Sequence, residues 1–166
     1  MYKIGDLTFY KSYGVCRVDR ILEESFTGKP MLYYVLQSKL RPGVTFYHPV
    51  ESDNSQLEKM LTNKDAIQIV DNFKNPATEW EDRSTNRHRQ HTEILNRNNH
   101  LEIAQLMNTL LRKQIDLQQQ EKKLGAQDIQ VLQQISSMIF EMLELALKKP
   151  KNILEQQVQQ KVMQNY

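Results

Sequence analysis

The chain has little cysteine and no long apolar run. Cys16 is the only cysteine among 166 residues, which excludes an internal disulfide and a cysteine-based zinc cluster within one chain. No apolar run reaches the roughly 18 residues that a membrane-spanning helix needs. Residues 1–11 also lack the basic and apolar layout of a signal peptide. We therefore expect a cytoplasmic protein without a membrane segment.

The chain also lacks a large net charge. It has 22 basic and 20 acidic side chains, which leaves a formal charge of +2 with the histidines neutral. This balance is too even for a protein that coats nucleic acid by bulk electrostatics. Any contact with nucleic acid must therefore be local.

Enzyme signatures are missing too. The sequence contains no Walker, GxGxxG, HExxH or GxSxG pattern. Cys16 lies among valines, as an ordinary strand residue does, and has no histidine near it in sequence. His88 and His91 have a spacing that metals accept, but Arg87 and Arg89 beside them oppose cation binding, so a solvated polar helix is favoured. We expect no enzyme, no metal and no cofactor.

Glycine and proline are concentrated at the start of the chain. Four of the five glycines and three of the five prolines fall within the first 50 residues, where they separate short segments rich in residues that favour strands. These segments are Leu7 to Tyr10, Val15 to Leu22, Leu32 to Leu36 and Val44 to Val50. They predict a small, strongly bent antiparallel sheet of four or five strands, with an edge strand able to pair with a partner.

Helical spacing begins after this region. From Ser52 the apolar pattern predicts short helices, with Leu57 on the first apolar face. The Asn75-Pro76 step disfavours helix and marks a linker at residues 72–79. Beyond it, residues 80–166 show apolar stripes at helical spacing, with Pro150 opening the last helix, and predict an all-α bundle.

Trp80, the only tryptophan, stands at the start of the predicted bundle. Thr78 followed three residues later by Glu81 is a capping-box pattern, which predicts that Trp80 lies in the first turn of a helix. The indole then has two interpretations. It packs the junction as a hydrophobic staple, or it is an exposed wedge beside arginines, a combination that suits the DNA minor groove.

These features resemble the CarD/CdnL family of bacterial transcription regulators, whose N-terminal module is shared with the RNA-polymerase-interacting domain of the transcription-repair coupling factor. In the first half the resemblance lies in the sequence KIGD at 3–6, Tyr10, Gly14-Val15, Val18, the Gly28 hairpin, Tyr34-Val35-Leu36 and Pro49. In the second half it lies in Trp80, Arg83, Leu110-Leu111-Arg112-Lys113, Leu124 and Glu144-Leu145-Ala146-Leu147.

The resemblance implies an α+β protein of two domains. Residues 1–71 are expected to form a Tudor-like, SH3-like small antiparallel β-barrel that docks on the RNA polymerase β subunit. Residues 72–79 are the linker, and residues 80–166 form an all-α helical bundle that contacts promoter DNA. The docking residues implied are Tyr34, Val35, Leu36, Phe46 and Tyr47, and those implied for DNA are Trp80, Arg83, Arg87 and Arg89.

The function implied is a monomeric transcription regulator, associated with the nucleoid through polymerase. It would stabilise the promoter open complex by a sequence-independent minor-groove contact. Glu81 and Asp82 beside the tryptophan repel phosphate, so an alternative is an adaptor that binds polymerase or another protein without touching DNA. An enzyme that uses Cys16 or the histidines is a remote third possibility.

Overall fold

The structure is a computed structural model that describes residues 1–11, 13–52 and 56–164. The chain divides into two compact units, Met1–Met60 and Leu61–Tyr166. The first unit holds the strands and the second holds the helices. The expected fold class, an antiparallel β domain followed by an all-α region, is therefore confirmed.

Within the described part of the first unit, the structure has five antiparallel strands. They are β1 (Leu7–Tyr10), β2 (Gly14–Glu24), β3 (Met31–Ser38), β4 (Thr45–Pro49) and β5 (Leu57–Glu58). Their order across the sheet is β4-β3-β2-β1-β5, so β4 lies at one edge. The register between β2 and β3 shifts between Val18 and Arg20, and such an irregularity bends a strand and increases its twist.

The KIGD segment at 3–6 forms a turn that ties the start of the chain to β2. The backbone N–H of Lys3 donates to the Asp6 carboxylate at 2.8 Å. Gly5 has a φ of +93°, a backbone conformation that residues other than glycine rarely adopt. The Gly5 N–H then donates to the carbonyl of Val18 at 2.7 Å. This motif therefore has a structural role.

A cluster of buried side chains stabilises the β unit. It contains Cys16, Val18, Tyr34, Leu36 and Leu57, with half-buried apolar side chains packed around them. Full burial of one such side chain contributes roughly 1.5–3 kcal/mol. Cys16 is fully buried in this cluster, in agreement with its interpretation as an ordinary strand residue.

Leu57 was expected on a helical face, and that prediction is wrong. Leu57 and Glu58 form strand β5, which pairs with Tyr10 and Phe9 of β1. Over so short a segment, the apolar spacing after Ser52 is compatible with a helix or a strand. The strand forms because it pairs with the edge of β1 that β2 does not occupy. Part of the predicted segment, 53–55, lies outside the described residues.

Over residues 61–164, the second unit has five helices. They are α1 (Asn63–Asn72), α2 (Ser84–Arg97), α3 (His100–Gln119), α4 (Ala126–Leu147) and α5 (Lys151–Gln164). The helix predicted after Pro150 is therefore present. Helices α3 and α4 pack on each other, and α1, α2 and α5 pack against them. The largest fully buried side chains of this core include Ile103, Met107, Leu110, Ile135, Ile139, Met142, Leu143 and Leu154.

The division between the two units lies earlier than the boundary expected after residue 71. Helix α1 belongs to the helical unit because it packs on α3 and α4. Two polar contacts reinforce this packing: Lys161 of α5 pairs with Asp71 at 2.7 Å, and Asn72 donates to Gln105 of α3 at 3.1 Å. The sequence alone does not indicate which unit receives the short helix.

The structure also bears on membrane association. Among the described residues, no helix combines the length and the apolar character that a membrane crossing requires.

Candidate functional site

Trp80 lies in a non-helical segment ahead of α2, which begins only at Ser84. The prediction that it occupies the first turn of a helix is therefore wrong. The capping box does not form, because the Thr78 hydroxyl contacts Thr109 of α3 at 3.0 Å. The Glu81 carboxylate instead accepts a hydrogen bond from the backbone N–H of Arg83 at 2.8 Å.

The segment before Trp80 is fastened to α3 by a row of polar side chains. Gln105 donates to the carbonyl of Pro76 at 2.9 Å, and Asn108 donates to the carbonyl of Asn75 at 2.8 Å. The Thr109 hydroxyl accepts from the N–H of Thr78 at 3.0 Å.

The last member of this row is Arg112, which is 5% exposed. Its guanidinium donates to the carbonyl of Phe73 at 3.1 Å and to the Asn108 side chain at 3.0 Å. Residues 73–78 were expected to belong to a linker. In the structure they are held along one face of α3, which fixes the position at which the chain reaches Trp80.

Two cations lie over the indole. The guanidinium carbon of Arg87 is 4.5 Å from the centre of the Trp80 ring, and the Lys113 ammonium is 5.1 Å from it. Each such contact contributes about 0.5–1 kcal/mol when solvent-exposed and more when desolvated. Trp80 is half-buried, so neither the packed nor the fully exposed interpretation describes it completely.

Arg87 is an internal tie of the helical unit. Its Nε donates to Asp128 Oδ1 at 3.0 Å and its Nη2 to Asp128 Oδ2 at 2.8 Å, while its Nη1 donates to the carbonyls of Glu81 and Asp82 at 2.7 and 3.2 Å. The side chains of Arg87 and Asp128 are only 11% and 6% exposed. The hydrogen bonds that Arg87 donates to Asp128 raise the pKa of its guanidinium. A guanidinium engaged in this way is not available to phosphate, so the structure does not support Arg87 as a DNA contact.

His91 lies beside the same carboxylate. Its Nδ1 is 3.9 Å from Asp128 Oδ1, and the residue is 6% exposed. Burial is the main cause that lowers the pKa of His91, and it outweighs the attraction of Asp128. The histidine is therefore neutral near pH 7.

Arg83 and Arg89, the other two arginines expected to contact DNA, are exposed. Arg89 lies 3.9 Å from Glu93, a distance at which an exposed ion pair contributes little. Both guanidinium groups remain accessible to an external anion. Among the residues that the structure describes, no three His, Cys, Asp or Glu side chains come together as metal ligands.

The residues expected to dock on polymerase have unequal exposure. Tyr34, Val35 and Leu36 belong to β3, an interior strand, and are at most 3% exposed. The Tyr34 hydroxyl also accepts a hydrogen bond from the N–H of Tyr2 at 3.0 Å. These three side chains stabilise the core of the sheet and are not presented to a partner.

Phe46 and Tyr47 lie on the edge strand β4 and differ from each other. Phe46 is half-buried against Tyr13, with ring centres 4.5 Å apart. Tyr47 is 47% exposed and makes an edge-to-face contact with Phe26, itself 60% exposed. The Phe26 ring also contacts Tyr33 at 5.1 Å between centres. The exposed aromatic patch, defined as Phe26 and Tyr47, is thus adjacent to a sheet edge.

Sequence reasoning missed several of these residues. Lys113 was noted only as part of a matching segment and Phe26 only as part of the Gly28 hairpin, and Asp128 was not considered. One signal was available for the row on α3, because its members at 105, 108, 109 and 112 follow helical spacing. No comparable signal links Arg87 to Asp128, which are far apart in sequence.

Comparison with known proteins identifies the β unit. Residues 2–61 match the family model described as CarD-like/TRCF RID domain. The matched range ends where the structure divides the chain, after Met60, and the helical unit lies outside it. No curated protein matches the chain. The resemblance found in the N-terminal sequence is therefore confirmed for residues 2–61, which match this family of RNA-polymerase-interacting domains.

Proposed function

We propose that the protein is a transcription regulator that binds the β subunit of RNA polymerase and stabilises the promoter open complex by a sequence-independent minor-groove contact. The observation that carries this proposal is the family match of residues 2–61, a domain family whose members interact with RNA polymerase.

The edge of the sheet provides the docking surface. Strand β4 pairs with β3 and has no second neighbouring strand in the sheet order. An edge strand of this kind accepts a strand from a partner through backbone hydrogen bonds. Phe26 and Tyr47 supply exposed aromatic area next to that edge, and aromatic side chains are frequent energetic hot spots of interfaces.

A binding measurement with the isolated β lobe of polymerase tests the docking step. We expect Tyr47→Ser to weaken binding by about tenfold, which corresponds to about 1.4 kcal/mol. Ile67→Ser is a matched control, because Ile67 is 50% exposed against 47% for Tyr47 but lies in the helical unit. Equal affinities of the wild type and the Tyr47 variant would contradict docking through this patch.

Trp80 with Arg83 provides the DNA contact in this proposal. An apolar wedge inserted between base steps binds distorted DNA in preference to regular duplex. A ligand that prefers one state shifts the equilibrium toward it, so such a wedge opposes closure of the melted promoter. Arg83 is exposed next to the indole and supplies a phosphate contact. Polymerase docking supplies the local concentration that a net charge of +2 does not.

Promoter-complex lifetime measured with purified polymerase tests the DNA step. We expect Trp80→Ala to shorten the lifetime by about tenfold, because stacking of an aromatic on a base contributes about 1–3 kcal/mol. Arg83→Ala is expected to shorten it less and to flatten its dependence on salt. Arg41→Ala, at an exposed position of the β unit, is the matched control for Arg83. Unchanged lifetimes with Trp80→Ala would rule out the wedge.

An adaptor without DNA contact is the second candidate, and one observation favours it. Arg87 is engaged by Asp128 and two carbonyls, and Asp82 is exposed beside Trp80. The positive charge available around the indole is thus smaller than the sequence indicates. Loss of β-lobe binding with Tyr47→Ser, combined with a normal promoter lifetime for Trp80→Ala, would establish the adaptor in place of the regulator.

A further inference from the structure

Helix α2 contacts the rest of the helical unit partly through polar groups. Its buried side chain is that of His91, while Ile94 and Leu95 are half-buried. Arg87, one turn earlier on the same helix, pairs with Asp128 in the first turn of α4. Arg87 and His91 therefore meet a single carboxylate. We call Arg87, Asp128 and His91 the buried triad.

The buried triad is directly connected to Trp80. The Arg87 guanidinium that Asp128 holds through both oxygens is the same group that lies 4.5 Å from the centre of the indole. Bidentate pairing fixes the plane of a guanidinium as well as its position. The orientation of the cation over the ring therefore depends on Asp128.

His91 is placed to disturb this arrangement. Its Nδ1 has no hydrogen-bond partner, although the side chain is 7% exposed. Asp128 Oδ1, at 3.9 Å, already accepts from Arg87 Nε. A proton on His91 would create a second cation beside one carboxylate. The imidazolium would compete for Oδ1 and repel the Arg87 guanidinium.

We propose that Asp128 is a positioning residue for Trp80, because it holds the Arg87 guanidinium over the indole. Protonation of His91 weakens the pairing of Arg87 with Asp128, so that the indole becomes more accessible to solvent at acid pH. The effect on DNA rests on the proposed function, whereas the effect on the indole is a property of the protein alone.

The charges around His91 determine the direction of the effect. Asp128 faces it from α4, Arg87 and His88 act on it from its own helix, and Glu81 and Asp82 act on Arg87 from the preceding segment. On α3, Lys113 lies over the indole and adds positive charge there. Burial lowers the pKa of His91 below its ordinary value of 6.5. The pairing of Arg87 with Asp128 is therefore intact at neutral pH and is weakened on acidification.

Fluorescence of Trp80 provides the test, because the chain has no other tryptophan. Acrylamide quenching is measured on the full chain from about pH 7.5 to about pH 5.5, the range in which histidine changes charge. We expect the wild-type quenching constant to rise about twofold with acidification, as the cation leaves the ring. His91→Gln should remove this rise. His88→Gln, at an exposed position on the same helix, should retain it.

Asp128→Asn tests the positioning role without a pH change. The variant keeps the shape of the side chain and removes its charge, so it should show the higher quenching constant already at neutral pH. Far-UV circular dichroism confirms that the variant is folded. A wild-type constant that does not change with pH, or a rise that persists in His91→Gln, would overturn the role of His91. A folded Asp128→Asn with wild-type quenching would overturn the positioning role.

Promoter lifetime separates failure of this inference from failure of the proposed function. If Trp80→Ala has no effect on the promoter but Asp128→Asn increases quenching, the positioning role stands and the DNA contact is wrong. If Trp80→Ala shortens the lifetime and Asp128→Asn leaves both the lifetime and the quenching unchanged, the DNA contact stands and the positioning role is wrong.

Discussion

Arg87 and Arg89 stand two residues apart on α2 and have opposite surroundings. Arg87 is held by Asp128 and two carbonyl oxygens, with its side chain 11% exposed. Arg89 is 72% exposed and lies 3.9 Å from Glu93. Positions two apart do not share a helix face. A positive charge in the sequence is therefore weak evidence of a phosphate contact until its side of the helix is known.

Replacing these two arginines should have very different effects on stability. Arg87→Met leaves the Asp128 carboxylate buried without its charged partner, and breaking a buried ion pair in this way costs about 3–5 kcal/mol. Arg89→Met removes an exposed ion pair and should change the free energy of unfolding by less than about 1 kcal/mol. Urea unfolding followed by Trp80 fluorescence measures both values. A similar loss for the two variants would contradict the structural role of Arg87.

The buried position of the β3 side chains also follows from residue chemistry. Tyr33, Tyr34, Val35 and Leu36 form a continuous apolar run, and such runs are typical of strands covered on both faces. The resemblance implied that Tyr34, Val35 and Leu36 contact a partner, whereas this apolar pattern indicates that they are buried. The alternation of β4 leaves Tyr47 more exposed than Phe46, and the sequence resemblance did not distinguish the two.

At the scale of elements, α3 has two functions in the helical unit. One face contributes apolar side chains to the core, and a polar row from Gln105 to Arg112 holds residues 73–78. The buried members of this row, such as Asn108, satisfy the carbonyls of a non-helical segment, as buried backbone groups require. The segment that brings Trp80 to α2 is therefore rigidly attached at several points.

Thr109→Val should loosen this attachment. The substitution keeps the approximate shape of the side chain and removes the hydroxyl, which accepts from the Thr78 N–H, contacts the Thr78 hydroxyl and donates to the carbonyl of Gln105. Each hydrogen bond lost costs about 0.5–1.5 kcal/mol, and the Thr78 amide should exchange with solvent faster. Hydrogen exchange measured by NMR at Thr78 checks this expectation. Thr92→Val is the control, since the Thr92 hydroxyl bonds only to His88 within its own helix. Equal exchange at Thr78 in both variants would contradict the role of Thr109.

At the scale of the whole molecule, the two units differ in secondary structure, and the family match covers the β unit but not the helices. The family match covers the β unit, residues 2–61, while Trp80 and the buried triad lie in the helical unit. Polymerase interaction is thus the property with direct support from comparison. The proposed DNA contact is supported instead by the geometry around the indole.

Both units contain a buried histidine, so both should lose stability on acidification. Burial lowers the pKa of His48 in the β unit and of His91 in the helical unit below 6.5. The unfolded chain then binds more protons than the folded one. The free energy of unfolding should therefore decrease as pH falls below about 6.5. Hydrogen bonds from Thr62 and Lys161 lower the pKa values of Asp65 and Asp71, so their contribution is lost only below their ordinary value of 3.8.

Unfolding at several pH values checks this expectation for each unit. Trp80 fluorescence reports on the helical unit, and amide exchange in β3 reports on the β unit. His48→Gln should flatten the pH dependence of the β unit alone, and His91→Gln that of the helical unit alone. Stability that is constant between pH 7 and pH 5, where histidines titrate, would contradict the buried and neutral state of both groups.

The sequence by itself determined that a β unit is followed by a helical unit, and which domain family residues 2–61 match. Turn residues near its start, strand-forming segments between them and helical spacing after Pro76 are local properties, and local propensity suffices to reveal them. The tertiary structure decided what these properties do not contain: that α1 belongs to the helical unit, that Leu57 joins a strand, and that Arg87 pairs with Asp128. Each of these depends on contacts between residues far apart in the chain, whose free energy exceeds the local preference.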